Sequence, residues 1–296
     1  MQGIVIANVS NSYEVKVEDK IYICSARGKF KLEKISPIVG DKVEIEVLEE
    51  SKKEGVILSI LPRTTYIKRP KVSNITQIVF VLSLESPKPD LLLLDKQLAF
   101  AELNGIQSII CINKVDLKKK KNEDLLQEIE KDYTNIGYPV ILTKAKEKEG
   151  IDLLKEKLQG KITAFSGNSG VGKSTLINSI FQKEITLEGI VSKKNQKGKN
   201  TTTAIRLYEI EPQSYIVDTP GFSTFDLSEI ESRDLEQYFI EFIEPRKDCE
   251  FIGCSHIKEQ NCGVKKALEQ GKISRGRYER YCKIYEELKE KEAHKW

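Results

Sequence analysis

In SYEVKVE, Tyr13, Val15 and Val17 alternate with Glu14, Lys16 and Glu18; in DKVEIEVL, Val43, Ile45 and Val47 alternate with Glu44 and Glu46. A period of two puts the apolar set on one face of a strand and the charged set on the other. KIYICSARGKF and EGVILSILPR supply two more candidates. Four or five short strands with Gly and Asp at the turns predict a small all-β barrel, and the pattern alone leaves an SH3-like barrel open. RTTYIKRPKVSN, with Pro70 and little periodicity, reads as a connector.

From about residue 75 the pattern changes. QIVFVLSL is a continuous apolar run of strand length, and DLLLLDKQLAFAELNG is a helical segment ending at a glycine cap. IQSIICIN, YPVILTKA and KITAFSG follow as strands, with NEDLLQEIEKDYTNIG and GIDLLKEKLQG as helices between them. Such alternation predicts a parallel sheet with helices on both faces. After SYIVDTPGF the rhythm stops; a short helical stretch near 228–244 leads to a Cys/His cluster, and the chain ends in a helix. The expected organisation is a barrel over 1–65, an α/β domain over 66–227 and a small α-helical, zinc-binding domain over 228–296.

Composition changes this picture little. Of 296 residues 39% are hydrophobic and 31% charged, which excludes wholesale disorder, and no apolar run approaches the ~20 residues of a membrane helix. The N-terminus lacks a basic region followed by an apolar one, so the expectation is a cytoplasmic protein with no membrane association. A net charge of +3 does not by itself argue for nucleic-acid binding, but residues 246–296 carry 13 Lys/Arg against 9 Asp/Glu.

The chemistry of the α/β domain is concentrated in four motifs. GNSGVGKS at 167–174 fits G-x4-G-K-[ST], running from Gly167 through Asn168, Ser169, Gly170 and Val171 to Gly172, Lys173 and Ser174, with Thr175 next. Glycines let successive N–H groups turn inward around phosphate, and the following helix adds its positive end. Lys173 reaches the β- and γ-phosphates and Ser174 places its hydroxyl on Mg²⁺. VDTPG at 217–221 supplies Asp218 for a Mg²⁺-bound water and the Gly221 N–H for the γ-phosphate. In NKVD at 113–116, Asp116 accepts from the two N–H groups of guanine, Asn113 bonds the base and the phosphate loop, and the Lys114 stem lies along the purine. Charged hydrogen bonds of roughly 1.5–3 kcal/mol each disfavour adenine, which lacks that donor pair. ILTKAK at 141–146 brings the Ala145 N–H toward guanine O6. The guanine motifs precede the phosphate motifs, an order that a parallel sheet tolerates because loops from the carboxyl ends of all its strands gather at one site.

Cys249, Cys254, His256 and Cys262 supply four ligands, enough for a closed tetrahedral Zn²⁺ site able to hold a segment with little core of its own. In the last helix Tyr278, Tyr281, Tyr285 and Leu288 follow 3–4 spacing and read first as a packing stripe. Arg275, Arg277, Arg280 and Lys283 read as solvated charge or phosphate contacts.

LPRTTYIKRP, NKVD, GNSGVGKSTLIN, GKNTTT, DTPGF and CEFIGCSHIKEQNC, taken in this order, resemble the circularly permuted ribosome small subunit-dependent GTPase A family (RsgA, also called YjeQ or YloQ) over nearly the whole chain. The resemblance implies an OB-fold barrel and a monomer binding GTP or GDP, Mg²⁺ and one Zn²⁺. Its implied role is GTP hydrolysis on the small (30S) ribosomal subunit, with 16S rRNA as a contact, during late subunit maturation. Two departures stand out, one at the catalytic positions and one at Lys144. Asn200 occupies the place of the family's switch His, and Phe222 follows Gly221 where many GTPases carry a water-positioning Gln. Asn can orient water but cannot act as a base, so weak intrinsic turnover is expected, with a group supplied by the ribosome. One of Thr201, Thr202 and Thr203, with Thr202 preferred, is expected to close on Mg²⁺. Lys144 stands where the guanine loop more often has Ser. A GTP/GDP-switched RNA-binding module with marginal hydrolysis stays open beside the GTPase reading, as does a permuted GTPase acting on the large subunit or tRNA.

Overall fold

The computed structural model describes residues 1–9, 12–28, 30, 35–117, 122–181, 205–218 and 227–294. The expectations for Asn200, Thr201, Thr202, Thr203, Gly221 and Phe222 lie outside the described residues. The barrel is built from β1 (Gln2–Val9), β2 (Ser12–Val17), β3 (Lys20–Ala26), β4 (Lys42–Glu49) and β5 (Glu54–Ile60). They join in the order β1-β2-β3-β5-β4, with β4 returning to β1 and β3–β5 parallel, which is the OB-like closure. Val15, Tyr22, Cys24, Val43, Ile45 and Ile57 fill the interior, while Ile21 and Ile23 on the other face of β3 are exposed.

The segment read as a connector is a hairpin, β6 (Tyr66–Lys68) and β7 (Lys71–Ser73). A pattern only three residues long is too short to show its period. Buried Asp41 ties this hairpin to the barrel: it accepts both arms of Arg63 at 2.7 and 2.8 Å and the Ser73 hydroxyl at 2.6 Å.

The α/β part follows as β8 (Gln77–Ser83), α1 (Leu91–Leu103), β9 (Gln107–Asn113), α2 (Glu123–Ile136), β10 (Val140–Thr143), α3 (Ile151–Leu158), β11 (Ile162–Ser166), α4 (Lys173–Ile180), β12 (Arg206–Glu211) and β13 (Ser214–Asp218). Its strand order is β10-β9-β8-β11-β13-β12, parallel except for β12. All of β8 is buried because it is central: Ile78, Phe80 and Leu82 face the α1–α2 layer, and Val79 and Val81 face α3 and α4. The antiparallel β12 departs from the purely parallel sheet expected, and its short half-exposed run gave little warning. It pairs with β1, so barrel and sheet are continuous, and the ion pairs Arg206–Glu14 and Lys16–Glu209, both at 2.6 Å, reinforce that seam.

Beyond residue 227, 3-10 turns at Ser232–Tyr238, Ile240–Phe242 and Pro245–Asp248 precede α5 (Gly263–Glu269) and α6 (Arg275–Ala293). Leu235, Phe239, Phe242, Val264, Ile284 and Leu288 pack together and against Ala99 of α1, so this segment has a core of its own, contrary to expectation. The clustering of Phe239, Phe242 and Tyr281 depends on chain reversals that no periodicity shows. Tyr281 and Leu288 are buried in it, and Tyr278 and Tyr285 lie against its edge, as a packing stripe requires. No helix among the described residues is long and apolar enough to cross a membrane.

Two of the arginines on α6 are neither solvated nor turned outward. Arg277 is fully buried, donates to Asp95 of α1 at 2.5 Å and to Glu241, and lies over the Phe239 ring at 4.6 Å. Arg280 and the Tyr133 hydroxyl complete the shell of Asp95, at 2.5 and 2.7 Å. Burial opposes the charge of Arg277, but Glu241 and Asp95 outweigh it and hold the guanidinium ionised, well above its ordinary pKa. Removing one member of such a cluster strands buried charge. Arg277→Ala should therefore cost about 3–5 kcal/mol by chemical denaturation, and Arg280→Ala, at a more open position, clearly less.

Candidate functional site

Parallel strands end together. Ser83, Asn113 and Thr143 stand side by side at the carboxyl ends of β8, β9 and β10, with Ser166 of β11 and Asp218 of β13 on the same rim. The loop 167–172 therefore leaves the sheet beside the loop 114–117, although the two are more than fifty residues apart in the chain.

Backbone demands at this rim explain the glycines. Gly167 has φ +147°, and a Cβ there would lie 2.2 Å from the Val81 carbonyl oxygen of β8. Gly172, the N-cap of α4, has φ +95°, and a Cβ there would lie 2.5 Å from Asn113 Nδ2. The missing side chain lets the guanine-type loop touch the phosphate-type loop. Gly172 caps α4 without a side-chain bond, so the N–H groups of the first turn point into the loop, where an anion is favoured. Lys173 folds its amine back over the loop, donating to the carbonyls of Gly167 at 2.6 Å and Asn168 at 3.0 Å. Burial lowers its pKa from the ordinary lysine value. Val171 is buried in the α3–α4 core and anchors the loop from below.

Asn113 is the junction. Its Nδ2 donates to the Val171 carbonyl at 3.0 Å, and its Oδ1 accepts from the Thr143 hydroxyl at 3.1 Å and the Ala145 N–H at 3.2 Å. The Ala145 N–H expected to face guanine O6 is thus already engaged, at a long 3.2 Å, by Asn113 Oδ1, and would reach O6 as a donor shared between the two acceptors. Lys114, at φ +60°, sends its amine to the carbonyls of Ser86 and Gly170 and so spans the mouth between the loops. Asp116 sits exposed in the 3-10 turn Val115–Leu117. Asn113, Lys114, Asp116 and Ala145 line one side of a cavity of about 500 Å³; Ser169, Gly170, Gly172, Lys173, Ser174 and Thr175 line the other. That volume suits a nucleotide-sized ligand. Gly167, Asn168 and Val171 form the base of the loop rather than the cavity wall. Lys144 makes ion pairs with Glu149 at 2.7 Å and Glu147 at 3.6 Å, so the unusual lysine braces the turn that carries Ala145. Thr143, although it lies in ILTKAK, was given no role there, and Ser179, which meets the Ala145 carbonyl, escaped the sequence reading because it lies beyond the phosphate-loop motif.

A second constellation lies about the cysteines. The ligand atoms of Cys249, Cys254, His256 and Cys262 all fall within 4.8 Å of one another. A tetrahedral zinc with bonds of ~2.3 Å to sulfur has edges of ~3.8 Å. Cys249 and Cys262 Sγ are 3.9 Å apart, and His256 Nδ1 stands 3.6 and 3.3 Å from them, so the donor set fits such an ion. His256 Nε2 bonds Glu236, which turns Nδ1 toward the sulfurs in the carboxylate–histidine arrangement that supports a metal ligand. Glu259 gathers the Ser255 and Ile257 N–H groups and the Ser255 hydroxyl; burial works against its charge, but these bonds prevail and hold its pKa at about 2. It shapes the turn between His256 and Cys262.

Asn113→Ala would leave three polar groups without their partner, each costing about 1–3 kcal/mol when buried. The expected result is a loss of at least about 3 kcal/mol in denaturant stability, accompanied by faster amide exchange at both Val171 and Ala145.

Comparison with known proteins agrees with this geometry. The model of the RsgA GTPase family matches residues 60–228, and that of the RsgA N-terminal domain matches residues 2–57. The chain is 46% identical to the small ribosomal subunit biogenesis GTPase RsgA of Clostridium botulinum over 100% of both chains. It is 47% identical to that of Clostridium acetobutylicum over 95% of each. YjeQ from Thermotoga maritima superposes with a TM-score of 0.87 at 37% identity, covering 97% of this chain and 98% of that one. YloQ, described as a circularly permuted GTPase, gives 0.83 at 34% identity over 98% and 95%. Reversed motif order, OB-like barrel and Cys/His element together with these matches place the chain in the RsgA family of circularly permuted GTPases.

Proposed function

We propose that the protein binds a guanine nucleotide and Mg²⁺ in the cavity between the two loops and hydrolyses GTP to GDP on the small ribosomal subunit during its late maturation. The observation that carries this reading is the shared cavity, lined by Asp116 and Ala145 on one side and by Lys173 and Ser174 on the other. Asp116 accepts the two guanine N–H groups, and the Ala145 N–H faces O6. N–H groups of the Gly167–Thr175 stretch wrap the phosphates, with the Lys173 ammonium neutralising charge that develops between them. Mg²⁺, when bound, neutralises phosphate charge; Ser174, Asp218 and Thr202 are the groups that would hold it. Gly221 donates to the γ-phosphate and Asn200 orients water, both by sequence argument alone. Action on the small subunit is supported by the names of the relatives, which are small ribosomal subunit biogenesis GTPases; contact with 16S rRNA and a monomeric state belong to the reading through the sequence resemblance. Cys249, Cys254, His256 and Cys262 hold one structural Zn²⁺.

Asn200 and Phe222 favour a catalytic group brought by the ribosome, and they also support the second reading, a GTP/GDP-switched RNA-binding module. Turnover with and without purified small subunits separates the two. Slow GTP hydrolysis by the isolated protein, strong stimulation by subunits and loss of both in Lys173→Ala are expected. GTP-dependent association without stimulated turnover would select the module instead.

For the metal, one zinc per chain is expected by atomic spectroscopy. Cys254→Ser should lose it and make the 249–262 stretch protease-sensitive, while the aromatic core and the Asp95 ion pairs keep α6 docked and GDP still binds. Glu236→Ala should weaken zinc affinity about 10- to 100-fold. Full zinc content in Cys254→Ser would remove that residue from the ligand set.

A further inference from the structure

Ser179 lies on the helix that begins with the phosphate-binding residues, yet it is not among the residues that line the cavity. Its Oγ is 2.7 Å from the carbonyl oxygen of Ala145 and 2.8 Å from that of Thr175, one turn back in α4. The single hydroxyl proton is shared between them. Ala145 is buried, and its N–H is held by Asn113 Oδ1 at 3.2 Å. The C=O of this one residue is thus held by α4, while its N–H makes only a long bond to Asn113 Oδ1 at 3.2 Å and, at the cavity wall, can be shared with an O6 acceptor. The turn around it is closed by the Lys144 N–H to Glu149 carbonyl bond at 3.1 Å and by the Lys144–Glu149 ion pair at 2.7 Å.

We infer that Ser179 is a positioning residue for guanine recognition: its hydroxyl holds the Ala145 turn against the phosphate-loop helix and so sets the distance between the amide that reads O6 and the amides that read phosphate. The inference rests on the guanine-nucleotide reading above. A helix is stiff along its axis, and Lys173 and Ser179 stand six residues, roughly 9 Å, apart on it. α4 thus serves as a fixed spacer with a phosphate anchor at one end and a base-loop anchor further along. Without the Ala145 bond the Ser179 hydroxyl would only bond back to Thr175, a common habit of serine in helices with no consequence for a ligand.

The test is equilibrium binding to the full-length protein of three diphosphates: GDP, IDP, which keeps O6 but lacks the 2-amino group, and 2-aminopurine riboside diphosphate, which lacks O6. In Ser179→Ala, GDP and IDP should each bind about three- to tenfold more weakly, the worth of one neutral hydrogen bond. The 2-aminopurine nucleotide should bind as it does to the wild type, and Ser179→Thr should restore most of the loss. Equal weakening for all three nucleotides would mean a general effect on the helix and would overturn the inference, as would no change for GDP. Asp116→Ala provides the separate control. Should wild-type GDP affinity survive that change, the guanine reading fails and the inference with it; should it collapse while Ser179→Ala is silent, only the inference fails.

Discussion

One carboxamide joins the two halves of the site. Asn113 occupies the last position of a buried parallel strand, where its side chain must satisfy all of its polar atoms or lose them to the interior. It does so by bonding the phosphate-type loop through Val171 and the guanine-type loop through Thr143 and Ala145. Gly172 leaves the space for that contact, since any Cβ would overlap the amide nitrogen. The relative placement of the two loops is thus a property of the fold and does not wait for a ligand to impose it. This is the preorganisation that selective binding of one base with its phosphates requires.

The same reasoning explains why reversing the motif order leaves the site intact. Loops at the carboxyl ends of adjacent parallel strands are neighbours whatever the order in which the chain visits those strands. β8, β9 and β11 sit side by side at the centre of the sheet, and Asn113 and Ser166 end two of them. Cutting the chain elsewhere moves the termini and leaves the hydrogen-bonded neighbours unchanged. The barrel gains its attachment by the same means: β1 pairs with β12, so the seam between the units is a sheet edge covered by another strand instead of left open.

α1 connects the rim to the zinc-type element. On one face Gln97 bonds the Ser166 hydroxyl at the end of β11, just before the phosphate-type loop. Asp95, two residues earlier, receives Arg277 and Arg280 from α6, and Lys96 pairs with Glu287 at 2.5 Å. A buried ionic cluster of this kind adds little net stability compared with apolar packing, but it permits one docking arrangement because any shift strands a charge. The C-terminal element is therefore held by three agents: its aromatic core, the Cys/His cluster oriented by Glu236, and this ionic seam.

Much of this was legible in residue order. Strict alternation marked the barrel strands β2 and β4, the continuous apolar run marked β8 as a strand, and the spacing of the glycines, of Asn113 with Asp116, and of the cysteines with His256 named the chemistry, because each of those properties is local. The hairpin at 66–73, strand β12 and the burial of Arg277 were not legible. A three-residue strand has no measurable period, an edge strand gets its identity from its partner, and a charged residue reads as solvated until its counter-ions are found, here Glu241 36 positions away and Asp95 182 positions away. The sequence by itself therefore determined which groups are present and which local geometry each prefers. Only the tertiary structure decided which of them meet, because the bonds of Asn113, Ser179 and Arg277 reach across distances in the chain that no local pattern encodes.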